Sequence, residues 1–230
     1  MINEVLHRLE NENLQSAIFF IEAQGDHHLV PGLYSQLVKN LYWKDLNASN
    51  LLSIGQAGID YCLKKAEQVS DEKEKNDLKS WAKSLAFDMA ANSWPYWGDQ
   101  GVVISAAQRE EGLKAAKLNL ELAIELNKSK DKLALAYWLI GIHYFAKKDI
   151  QESLAHLNRY KEISLEINDS LSAIVAQGYI AIVEMRLLGK SMNETAYQKA
   201  LSDLESIGSE DACFYGDQIK TVLSESANKL

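Results

Sequence analysis

Apolar residues recur every three to four positions along nearly the whole chain, the period of an amphipathic helix. From Ile2 to Gln24, Val5, Leu6, Leu9, Ala17, Ile18 and Ile21 fall on one stripe, and Gly25 ends it. Residues 27–32 hold Pro31 and read as a connector. Leu33 to Trp43 and Ser53 to Gln68 follow as helices, the second amphipathic through Ile54, Ala57, Tyr61 and Leu63. Ser70 is placed to cap the charged run Asp71-Glu72-Lys73-Glu74-Lys75. Helical spacing then continues through 77–92, 106–127, 131–147, 149–167, 170–188, 194–207 and 211–229. Only Gly101 to Ile104 hints at a period of two. The pattern predicts an all-α chain of ten to eleven helices joined by short polar turns.

Long chains of paired helices are tested first for self-similarity. The clearest unit runs Tyr137, Ile140, Gly141, Tyr144, then Ser153, Leu157 and Tyr160. It resembles the tetratricopeptide repeat, with Tyr160 where that pattern has a final Ala. A small residue in the first helix admits the second helix closely, and flanking large residues fill the wedge. Weaker copies surround it: Tyr34, Leu37, Val38 and Leu41 with Ala57 and Tyr61; Ala82, Leu85, Ala86 and Met89 with Ala116, Leu120 and Ala123; Gly178 with Ala196, Ala200 and Leu204.

The resemblance implies antiparallel helix pairs stacked into a right-handed superhelix, an α-solenoid. One domain over 1–230 is expected, with an N-terminal helix at 2–24, pairs at 33–68, 77–127, 131–168 and 170–207, and a capping helix at 211–229. It also implies a concave surface that faces a protein or peptide ligand. Lys83 is the only Lys suitably placed for a clamp on a terminal carboxylate, so that ligand class is not expected.

Two stretches stand out against this frame. The helix 133–146 is apolar nearly all round. Tyr137, Ile140, Gly141 and Tyr144 form the stripe that packs between helices. Leu135, Trp138, Ile142 and Phe145 fall on the concave side, and the helix at 174–187 repeats the effect through Val175, Tyr179, Ile182 and Val183. A helix apolar on every side is covered on every side. The expected cover is a terminal helix of the chain (Ile18, Phe19, Phe20 and Ile21 lie on one), a second copy, or a foreign ligand. The second stretch is the 13-residue link between Asn92 and Ala106, which opens Ser93-Trp94-Pro95-Tyr96-Trp97-Gly98-Asp99-Gln100-Gly101. Rings with few rotatable bonds and a polar edge suit contact surfaces. Trp94, Tyr96 and Trp97 either meet a partner or fold back and plug a helix pair.

Composition narrows the chemistry. Lys plus Arg number 24 against 32 Asp plus Glu, a net charge of −8, which argues against a nucleic-acid groove or an anionic membrane surface. Two Pro in 230 residues suit a helical chain. Residues 1–24 lack the basic start and unbroken apolar core of a signal peptide. Cys62 and Cys213 are the two cysteines and have no ligand-like spacing, which fits small buried hydrophobes in a reducing cytoplasm. His27-His28 beside Asp26 lacks further metal ligands. Gly189-Lys190-Ser191 has Glu184 where a phosphate-binding loop needs Gly. His143 has no nucleophile at a suggestive spacing. The chain therefore reads as a non-enzymatic scaffold without cofactor or metal that binds a protein or peptide segment, with homodimerisation open. The alternative is a sensor domain that holds a small apolar ligand or a signalling peptide.

Overall fold

The computed structural model describes residues 1–25, 28–43, 48–189 and 193–229. Asp26, His27, Lys190 and Ser191, singled out in the sequence, lie outside them. Among the described residues the chain is 83% helix and has no strand, so Gly101 to Ile104 forms none. Eleven helices pack in adjacent pairs, consistent with a solenoid-like helical repeat. They are α1 (Ile2–Asn11), α2 (Leu14–Glu22), α3 (Leu29–Trp43), α4 (Ala48–Gln68), α5 (Glu72–Asn92), α6 (Ala106–Glu125), α7 (Lys130–Ala146), α8 (Ile150–Glu166), α9 (Ser170–Leu188), α10 (Glu194–Ile207) and α11 (Glu210–Lys229).

Helix ends follow local chemistry. The Asp149 carboxylate accepts from the Glu152 amide at 3.2 Å, and that of Asp169 from the Ser172 amide at 3.0 Å. Each cap follows a left-handed residue, Lys148 at φ 62° and Asn168 at φ 58°. The chain therefore reverses within three residues each time, with the Asp149 amide donating to the Tyr144 carbonyl and that of Asp169 to the Ser164 carbonyl. Ser105 and Gln108 form a reciprocal capping box at the start of α6.

Three boundaries depart from the sequence reading. The expected helix over 2–24 is two helices, because Asn13 is extended and its side chain accepts from the Ser16 amide at 2.9 Å. An Asn that binds its own neighbouring backbone competes with helix continuation. Helix α3 begins at Leu29, not Leu33, and so contains Pro31. Pro is tolerated there because first-turn amides have no intrahelical partner to lose. Asp71, not Ser70, caps α5; its carboxylate accepts from the Glu74 amide at 2.8 Å.

The chain divides into two compact units. The first comprises Met1–Ser93 and Gly101–Asn127, the second Trp94–Gln100 and Lys128–Leu230. In the first unit, α1 and α2 pack on α3 and α4, and α5 lies against α3, α4 and α6. Tyr34, Leu37, Ile54, Ile59, Leu85 and Met89 are fully enclosed. Two polar contacts reinforce it: the Tyr34 hydroxyl donates to Glu22 at 3.2 Å, and the Asn119 amide donates to the Lys83 carbonyl at 2.8 Å.

In the second unit, α7, α8, α9, α10 and α11 pack in sequence order, with further contacts of α7 and α11 to α9. Gly141 sits where α8 comes closest: a Cβ there would stand 2.8 Å from Leu157 Cγ and 3.2 Å from the Leu157 amide nitrogen. The Ser153 hydroxyl donates to the Gly141 carbonyl at 2.9 Å, fully buried. Tyr137 and Tyr144 stack on His156 of α8 at 6.0 and 5.5 Å, so this stripe of α7 does face its pair partner. Gly178 departs from that parallel. Its open side admits Ile219 of α11, with no α10 atom among its nearest neighbours. Helix α9 is long and apolar enough to cross a membrane by length and composition, and half of that window is buried within the structure.

Candidate functional site

The two stretches singled out in the sequence meet in the second unit. Residues 94–100 belong to this unit, although α5 and α6 on either side belong to the first. Trp94 is the deepest anchor, 2% exposed, and its indole nitrogen donates to the Ile142 carbonyl oxygen at 2.8 Å. A carbonyl has two lone pairs, so a helical one accepts an indole N–H without giving up its backbone bond. Ile142 lies one turn before the end of α7.

Rings continue outward from that anchor. Tyr96 stands edge-on to Trp94 at 5.2 Å, and its other side meets Phe145 at 5.5 Å. Trp97 packs on Trp94 at 4.6 Å and reaches Trp138 at 6.2 Å. Tyr179 of α9 closes the cluster, 6.3 Å from Trp94 and 6.0 Å from Trp138. The tilted and edge-on geometries are those that aromatic quadrupoles favour, each adding roughly 0.5–1.5 kcal/mol beyond simple burial. Six rings therefore form one continuous cluster.

The Trp138 indole nitrogen of this cluster is enclosed without a hydrogen-bond partner, whereas the Tyr179 hydroxyl is paired. The Tyr179 hydroxyl donates to Gln218 of α11 at 2.9 Å, and burial holds its ionisation well above the ordinary tyrosine range. Helix α11 also limits the segment at its far end. Gly98 has φ +80°, and a Cβ on it would stand 2.8 Å from Thr221 Cγ2, so the turn over α11 requires glycine.

Of the candidate groove residues, Ile142, Phe145, Val175, Tyr179 and Ile182 are buried, and Leu135 and Trp138 are half-buried. Leu135, Val175 and Ile182 take no part in the network of rings and hydrogen bonds; they share only its helices. Of the segment, Trp94 and Tyr96 are buried, Trp97 is half-buried, and Gly98 to Gly101 are exposed. Cover on this face comes from the internal segment and, over α9, from the C-terminal helix α11, with Gln218 at Tyr179 and Ile219 at Gly178. The N-terminal helices pack within the first unit, where Ala17 and Ile21 are buried and Phe19 remains 72% exposed. Sequence reasoning found both partners of the contact but not the contact itself. It also missed Gln218 and Thr221, which carry no pattern distinguishing them from other residues of α11.

Among the described residues, no group of three or more His, Cys, Asp or Glu side chains is placed to hold a metal ion. His143 is buried in α7, beside the Ile142 carbonyl that receives the indole. The chain matches no protein-family model and no curated protein.

Proposed function

We propose that the protein is a non-enzymatic interaction scaffold of the tetratricopeptide-like kind. It binds a protein or peptide segment on the apolar face that α7 and α9 present in the second unit. The observation that carries this reading is that the face already holds an irregular aromatic segment, seated by rings and a main-chain hydrogen bond. A surface that accommodates one such segment has the shape and chemistry for another, and fold alone would not justify the step. Two free cysteines and a net charge of −8 support a cytoplasmic scaffold that avoids nucleic acid and anionic membranes.

The test is selection of peptides from a randomised display library on the full chain, with the Leu135→Ala/Trp138→Ala variant as counter-target. Both side chains are half-buried, and because Trp138 also packs on Trp97 and Tyr179, circular dichroism first checks that the variant folds. Peptides that bind the wild type and lose affinity for the variant are the expected outcome. A library without binders, or binders indifferent to the variant, overturns the reading. Native mass spectrometry of freshly purified protein gives an independent check. Retained small-molecule mass would favour the sensor alternative.

A further inference from the structure

We infer that residues 94–100 are an internal pseudo-ligand that holds the site shut, and that the partner is a turn-forming segment bearing a Trp followed two and three positions on by aromatic rings. This deepens the peptide-binding reading and rests on it.

Three observations lead there. The link between α5 and α6 is far longer than closing the pair requires: helix pairs are commonly joined by 2–8 residues, and this one takes 13. The additional length is where the rings lie, and those rings pack in a unit to which neither flanking helix belongs. Secondly, the seat selects chemistry rather than bulk. The Ile142 carbonyl accepts an indole N–H at 2.8 Å, and Phe145, Trp138 and Tyr179 present ring edges and faces around it. An aliphatic anchor would forgo both. The Trp94, Tyr96, Trp97 spacing is the arrangement the seat accepts. Thirdly, the segment is graded in burial. Trp94 and Tyr96 are enclosed, Trp97 is half-buried, and Gly98 to Gly101 are exposed. A competing chain can therefore engage Trp138 at the Trp97 end before the deep anchor leaves.

A tethered segment acts at an effective concentration in the millimolar range. A site closed most of the time lowers a partner's apparent affinity by the fraction of time it is open. The rings would thus set a threshold that only a partner with a comparable aromatic set exceeds.

The experiment uses the full chain and a fluorescein-labelled peptide copying residues 93–100, with a scrambled peptide of the same composition as control. Binding is read by fluorescence anisotropy for the wild type and for the Trp94→Ala/Tyr96→Ala/Trp97→Ala variant. The opened variant is expected to bind the copied peptide at least ~10-fold more tightly than the wild type, and the scrambled peptide far more weakly. If circular dichroism shows that the triple variant does not fold, Trp97→Ala takes its place, with an expected gain of about 3-fold.

Equal affinity of opened and wild-type chains overturns the gating while leaving the peptide-binding reading intact. Binding to neither overturns both. Equal affinity for the scrambled peptide overturns the proposed spacing. A wild-type dimer that is lost in Trp94→Ala would make a second copy the occupant and overturn the foreign partner.

Discussion

The indole nitrogen of Trp94 and the carbonyl oxygen of Ile142 meet at 2.8 Å although 48 residues separate them in sequence. This bond fixes the aromatic segment to α7, and its removal can be separated from loss of the ring. Trp94→Phe should cost about 1–2 kcal/mol through the lost bond and some volume, and Trp94→Ala about 3–5 kcal/mol through the cavity. Urea midpoints of the two variants check the order. A Trp94→Phe variant as stable as the wild type would mean that the hydrogen bond contributes nothing.

The α7–α8 contact gives a second expectation. Gly141→Ala forces a methyl group toward Leu157 and should destabilise by about 1–3 kcal/mol. Ser153→Ala removes the donor to the Gly141 carbonyl and should cost roughly 0.5–1.5 kcal/mol. The two should not add, because both act on one helix crossing. Thermal melts of the singles and the double measure the coupling.

Asp88 of α5 sets a pH dependence. Burial raises its carboxyl pKa, Lys39 opposes that shift only in part, and its Oδ2 is enclosed without a hydrogen-bond partner. A carboxyl raised in the folded state favours folding when protonated and opposes it once ionised. Its contribution is thus fully present below the unfolded pKa and lost as pH rises through the folded one. Asp88→Asn should therefore raise the melting temperature at pH 8, with the gain shrinking toward pH 3. A gain independent of pH would remove the ionisation from the explanation.

The two cysteines should differ sharply toward thiol reagents. Cys62 is fully buried and burial pushes its thiol up to about 12, whereas Cys213 is exposed on α11. Since the thiolate is the reactive form, native protein should release one equivalent from an aromatic disulfide reagent and denatured protein two. Rapid release of two equivalents from native protein would contradict the placement of Cys62.

The all-helical class was legible because apolar spacing persists through nearly every element, and Gly141 with Leu157 was legible as a close crossing. What escaped were choices between near-equal local options. Ser70 and Asp71 can both cap a helix, and only the register of α5 selects Asp71. Asn13 lies in an apolar period that continues on both sides, so the break there depends on its side chain capturing the Ser16 amide. At the candidate site, the apolar excess on α7 and α9 signalled that a cover exists, and the aromatic link signalled a contact. Nothing local to either stretch names the other, because a fit across 48 residues leaves no mark on periodicity.

That separation has a consequence for synthesis on the ribosome. The Trp94 side chain emerges before the α7 backbone that will receive it, and α9 follows later still. At roughly 5–20 residues per second, the 48 residues to Ile142 alone take a few seconds. Throughout that interval Trp94, Tyr96 and Trp97 have no native seat. Nascent chains should thus be most vulnerable to chaperone capture and aggregation between the translation of α5 and that of α9.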